Sequence, residues 1–175
     1  MVAALELYLD TDSTRRISTL WRSLESDGIR SMASLLQEKH RPHVSLAAAR
    51  RLDPGAVAAA LSDIEVARPL TLRMDFAGQF VGRVLWLGIT PTVELLSHHR
   101  AVHDRLSAAG IEVWDLYRPG RWIPHCTISL RVPNAQMSQA VRRCLEMLPL
   151  TATVTAAAIT DHANDISHPL PPVAP

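Results

Sequence analysis

The sequence predicts an α+β protein: two pseudo-twofold-related αβ lobes, each with a mainly antiparallel sheet lining a central cleft and with its helices outside. Three observations predict it. Short alternating apolar runs interleave with longer stretches of helical period. The tetrapeptide Pro-His-x-(Ser/Thr) occurs twice, in "RPHVSLA" from Arg41 and in "IPHCTISL" from Ile123. A shift of 82 in the numbering also matches much more than those tetrapeptides: Leu5 and Leu7 fall on Leu87 and Ile89, Leu24 on Leu106, Gly28-Ile29 on Gly110-Ile111, Pro42-His43 on Pro124-His125, and Ser45 on Thr127. Chance readily supplies a pair of tetrapeptides, but not a pair set at equal distances from two helix-ending glycines.

In chain order, "ALELYL" alternates as a short strand. Ile17, Leu20, Trp21 and Leu24 follow at helical spacing, with Asp12 or Ser13 placed to cap that helix and Gly28 to end it. His43 to about Ala49 reads as a strand. Asp53-Pro54 starts another helix, a capping side chain followed by proline at the first helical position. Val57, Ala60, Leu61 and Ile64 are its expected buried stripe. In "LTLRMDF", Leu70, Leu72, Met74 and Phe76 share one strand face, Gly78 and Gly82 mark a turn, and "RVLWLGI" is the next strand. Thr92 caps a long helix ending near Gly110. There follow a strand at His125, a helix capped by Asn134 with Met137, Val141, Cys144, Leu145 and Leu148 inward, and an Ala/Thr-rich strand from Thr151 to Ile159. Residues 1–162 are thus expected to form a single bilobal domain with an internal repeat at about 4–76 and 85–159, and the proline-rich tail 163–175 to be disordered.

Composition narrows the function. A formal charge of +1 argues against a general nucleic-acid coat, while leaving room for a local basic site. Cys126 and Cys144 make neither a disulfide framework nor a CxxC pair, and read as reduced thiols. No apolar run reaches membrane length, and "MVAALELYLD" lacks the basic region of a signal peptide, so a cytoplasmic protein with no membrane partner is expected, as a monomer.

On a strand, residues i and i+2 share a face. His43 therefore projects with Ser45, and His125 with Thr127, while Val44, Leu46, Cys126 and Ile128 turn to the core. If the two units face each other across one cleft, two imidazoles flank a phosphorus centre. One can take a proton from water while the other protonates the departing oxygen. The two hydroxyls can hold the non-bridging oxygens. This chemistry needs no metal and no cofactor.

The paired motifs His43-Val44-Ser45-Leu46 and His125-Cys126-Thr127-Ile128, with "RVLWLGI" and "RWIPHCTISL", resemble the two-histidine (2H) phosphoesterase superfamily, especially its bacterial 2′-5′ RNA ligase-like branch. The resemblance spans roughly Ala4 to Ile159. It implies a metal-independent cyclic phosphodiesterase whose partner is an RNA terminus or a nucleotide cyclic phosphate, either a 2′,3′-cyclic phosphate or a 2′-5′ linkage. His43 and His125 would be catalytic, with His125 as base and His43 as acid, an order the sequence barely distinguishes. Ser45 and Thr127 would bind phosphate, Ser45 standing where many relatives carry threonine.

Arg41, Arg121, Trp122 and Tyr117 are candidates for holding substrate, by pairing with phosphate or stacking on a base. Packing for Trp122 and solvation for the arginines is the plainer reading. Trp21 and Trp86 fit core positions, and His40 lies in the loop before the first motif. His162 and His168, at or in the tail, suggest no role. One rival function is a catalytically weak or inactive RNA- or nucleotide-binding module of the same fold, which the intact motif pair disfavours. Another is a metal hydrolase on His99 and His103, which stand at ligand spacing but with no HExxH pattern and no evident third ligand; a solvated helix face is expected there.

Overall fold

The structure, a computed structural model, describes residues 2–35 and 41–170; His40 lies outside them. Its strands are β1 (Ala3–Leu9), β2 (His43–Ala49), β3 (Thr71–Phe80), β4 (Val84–Ile89), β5 (His125–Ser129), β6 (Leu150–Asp161) and β7 (Ile166–Pro169). Its helices are α1 (Thr11–Ser26), α2 (Met32–Leu35), α3 (Pro54–Ala60), α4 (Val93–Ala108) and α5 (Met137–Met147). The strands run in the order β2-β1-β6-β3-β4-β5, with β7 on β6, and every pairing is antiparallel. The order reads alike from either edge when each strand is matched with the one about 82 positions on.

This order carries an exchange that periodicity does not reveal. β6 pairs with β1 and β3 pairs with β4, so the last strand of each sequence half lies beside the first strand of the other. β3 and β6 meet only over Thr71–Met74 and Leu150–Thr153 and then part, which splits the sheet into two wings. The apolar cores run behind both wings, through Leu5, Leu7 and Leu9 on one and Leu85, Leu87 and Ile89 on the other. Helices pack over them as the pairs α1 with α5 and α3 with α4.

The helix signals hold in part. Ile17, Leu20, Trp21 and Leu24 are buried, but the cap of α1 is Asp10, whose carboxylate accepts from the amide and the hydroxyl of Ser13. Gly28 and Gly110 sit at φ +74° and +69°, where other residues are strained. After each, the next amide reaches back: Ile29 N–H donates to Leu24 O and Ile111 N–H to Leu106 O, the same helix-ending turn twice. α3 begins at Asp53-Pro54 as read, but it stops at Ala60, before Ile64. Asn134 opens a short 3₁₀ turn rather than α5, and Leu145 is exposed; Ala140 and Cys144 are the buried residues of that helix.

Other expectations are overturned, the first in β3. Gly78 is not in a turn but inside β3, at a place where a Cβ would lie 2.3 Å from the Trp86 ring. A register shift between Met74 and Phe76 also reverses the strand's phase, so Phe76 is exposed and its ring covers Gly88. The second correction concerns the tail. Residues 163–170 are ordered as a turn and β7, although their side chains bury little. β3 leaves one edge of β6 unpaired beyond Thr153, and backbone hydrogen bonds from Ile166–Pro169 fill it. Residues 171–175 lie outside the described residues.

The close contact at Gly78 gives a stability prediction. Gly78→Ala should lower unfolding free energy by about 1–3 kcal/mol, the cost of overpacking, because the Trp86 ring cannot withdraw without disturbing Phe76 and Phe80. Urea denaturation measures it, and an unchanged midpoint would mean that the ring yields freely.

Candidate active site

The two motif strands are the two edges of the sheet, yet they come together. Trp122 Nε1–H donates to Ser45 O (3.0 Å), His103 Nε2–H to Leu46 O (2.9 Å) and Trp114 N–H to Ala48 O (2.7 Å). The outer edge of β2 is thereby occupied by the segment leading to β5, and the backbone amide of His43 reaches the thiol of Cys126. Val44, Leu46, Cys126 and Ile128 are fully buried, while His43, Ser45, His125 and Thr127 stay half-buried on the opposite face, as alternation requires. Burial pushes the Cys126 thiol up to about 12, which removes it as a nucleophile.

Each motif histidine is held in the same way. Nδ1 of His43 lies 2.9 Å from Arg41 O, and Nδ1 of His125 lies 2.7 Å from Ile123 O. A carbonyl only accepts, so Nδ1 carries the hydrogen in both rings, and Nε2 is the nitrogen left for chemistry. β2 and β5 lie against each other, which brings the two histidines to the same region.

Their surroundings differ. A shift of 82 takes Glu6 to Gly88, and His162 corresponds to Phe80. Around His125 stand the Phe80 ring, edge-on at 4.9 Å, and Trp86 at 5.8 Å. Burial there holds His125 below the usual histidine range; the bond to Ile123 O opposes this, and His43 adds to it. Around His43 stand Glu6 and His162 instead. Glu6 is 1% exposed, and its Oε1 lies 3.2 Å from His43 Nε2 and 2.6 Å from His162 Nε2. Its Oε2 accepts from Tyr8 and Thr160 hydroxyls, both at 3.0 Å. Burial alone would raise the Glu6 pKa; the charges of His43 and His162 and the hydrogen bonds from His162 and Thr160 outweigh it and pull the carboxyl down to about 2.

Of the four candidate substrate residues, two come to this place. Tyr117 comes close to the Ser45 side chain, and the Arg41 guanidinium lies over the Tyr8 ring at 4.7 Å. Arg121 does not, and Trp122 meets Ser45 only from the buried side, through its bond to Ser45 O. Arg121 pairs with Asp115 at the surface, and Trp122 is 8% exposed, its ring stacked on His99 at 4.0 Å. The expected solvated face at His99 and His103 is instead buried between Trp122 and β2. Burial pulls His99 down to about 3, with His103 adding to it. Among the described residues the group of three that could hold a metal is Glu6, His43 and His162, which does not include that pair.

Sequence reading missed Glu6, Phe80 and His162, and the nearness of the buried Trp86 to His125. A lone carboxylate within the otherwise apolar "AALELYL" was the available signal, since a buried charge needs partners. His162 carried none, because its place depends on β6 bringing it to β1.

The fold and the paired edge strands are those of phosphoesterases of the two-histidine class. A sequence profile of the 2′-5′ RNA ligase superfamily matches residues 14–166, and the chain belongs to that family. No curated protein matches it by sequence. Among solved structures, E. coli LigT in its apo form is 19% identical with a TM-score of 0.61, over 97% of this chain and 94% of that one. The same protein complexed with 3′-AMP is 17% identical with a TM-score of 0.61, over the same 97% and 94%. The MHV ns2 PDE domain is 22% identical with a TM-score of 0.51, over 73% and 81%. These likenesses are of fold. No helix among the described residues is long and apolar enough to cross a membrane.

Proposed function

We propose that the protein hydrolyses a cyclic phosphodiester at an RNA end or nucleotide, a 2′,3′-cyclic phosphate or a related 2′-5′ linkage, by paired-histidine acid–base catalysis without a metal. The observation that carries this is the pair of matched His-x-(Ser/Thr) strands, brought together with each Nδ1–H bound to the carbonyl two residues back. That LigT has been crystallised with 3′-AMP supports a nucleotide as the ligand class.

The unequal surroundings favour one division of the two protons. His125, kept neutral by its aromatic neighbours, takes the proton of the attacking water as the P–O bond forms. His43, facing the Glu6 carboxylate, delivers its Nε2 proton to the departing ribose oxygen as the ring opens. The hydroxyls of Ser45 and Thr127 donate to the non-bridging oxygens. Beside the start of β5 a recess of about 640 Å³, walled by Phe76, Ile89, Leu96, Trp122, Ile123 and Pro124, has the size and character to take a nucleoside.

The test is a turnover screen of 2′,3′-cyclic nucleotides, cyclic-phosphate-ended RNA and ADP-ribose cyclic phosphate, with His43→Ala and His125→Ala as controls. Binding without turnover of any of them would move the protein to the binding-module reading. A pH profile tests the base. Because the His125 pKa is lowered from 6.5, the ring stays neutral further into acid, so the acidic limb of kcat/KM should fall below pH 6.5. An acidic limb above that value would take the base role from His125.

A further inference from the structure

We infer that Glu6, His43 and His162 form a binding site for one divalent transition metal of the zinc type, and that an ion there switches the paired-histidine chemistry off. One ligand atom from each of the three lies within 4.8 Å of the other two. Tetrahedral zinc, about 2.0–2.2 Å from each ligand, spaces its ligands roughly 3.3 Å apart. The 3.2 Å between Glu6 Oε1 and His43 Nε2 fits that spacing. His162 stands at 2.6 Å and must withdraw by less than an ångström; it sits where β6 gives way to a turn and is itself one-fifth exposed, so it has room.

The surrounding hydrogen bonds are those a metal ligand requires. Nδ1–H of His43 is bound to Arg41 O, which fixes the tautomer and presents the Nε2 lone pair. Oε2 of Glu6 is held by Tyr8 and Thr160, which leaves Oε1 for the ion. Two imidazoles and one carboxylate suit zinc better than magnesium or calcium, which prefer all-oxygen shells. Three protein ligands leave a fourth position for water.

The corresponding positions around His125 are Gly88 and Phe80, which offer no donor, so the site belongs to one wing only. An ion on His43 Nε2 takes the lone pair that would carry the proton. The inhibitory half of this inference rests on the proposed function; the binding half does not.

The test uses the full chain, stripped with a chelator, titrated with Zn²⁺ in competition with a chromophoric chelator. We expect one ion per chain, and binding weakened about tenfold or more by His162→Ala and by Glu6→Gln. Co²⁺ in place of Zn²⁺ should give the visible absorption of a tetrahedral site in the wild type and lose it in His162→Ala. Far-UV circular dichroism confirms that each variant is folded, and His162 at the turn is the substitution least able to disturb the core. No zinc binding by the wild type, or equal binding by folded His162→Ala, overturns the site. If the wild type turns over a cyclic phosphate, Zn²⁺ should inhibit it, and His162→Ala should need about tenfold more; zinc bound with no loss of rate overturns the switch alone. If no substrate is turned over, the proposed function fails while the binding result still stands or falls by itself.

Discussion

Replacing either His43 or His125 by alanine should lower kcat on a cyclic phosphate substrate by roughly 10²-fold or more, with each single variant about as damaged as the double. Each ring handles a different proton of the same displacement, so one survivor cannot do the work of both. The fold should tolerate either change. Both side chains are half-buried on the cleft face, and the core behind them is built from Val44, Leu46, Cys126 and Ile128. Circular dichroism and thermal unfolding separate a folding defect from a chemical one. Turnover near wild type in either folded variant would remove that histidine from the mechanism.

Thr127→Val should come next in size. It keeps the shape of the side chain while removing the hydroxyl proposed to hold a non-bridging oxygen, and a loss of about 10²–10³ in kcat is the usual effect of removing such a donor. Ser45→Ala should cost less than Thr127→Val, because the Tyr117 hydroxyl close to Ser45 can move toward the vacated place. If Thr127→Val instead raised KM and left kcat intact, the hydroxyl would bind substrate and transition state equally and would not be part of the chemistry.

The structure bears unevenly on the sequence reading. The strand alternation that set His43 with Ser45 and His125 with Thr127 needed only local stereochemistry, and burial on the opposite face agrees with it. Trp86 is buried, as its place in an apolar strand predicts, but an apolar residue in a strand looks the same whichever face it lies on. Its position beneath His125 depends on the Gly88–His125 register and on Gly78, which leaves room for the ring. His99 and His103 were read as solvated because imidazoles at helical spacing give no warning that Trp122 will stack on them.

By itself, the sequence determined the α+β class, the matched helix-ending glycines at Gly28 and Gly110, and the two strands with their polar and apolar faces. All of these rest on interactions within a few residues of chain, where φ preference, side-chain period and capping act. Only the tertiary structure decided that β3 and β6 change places, that the sheet's two edges meet, and that β7 completes β6. It alone brought Glu6 and His162, more than 150 positions apart in sequence, onto His43 and left Phe80 and Trp86 around His125. The physical reason is that register across a ladder and the filling of an open edge are settled by pairings between distant segments. The difference between the two histidines arises from those pairings, and their motifs are nearly the same.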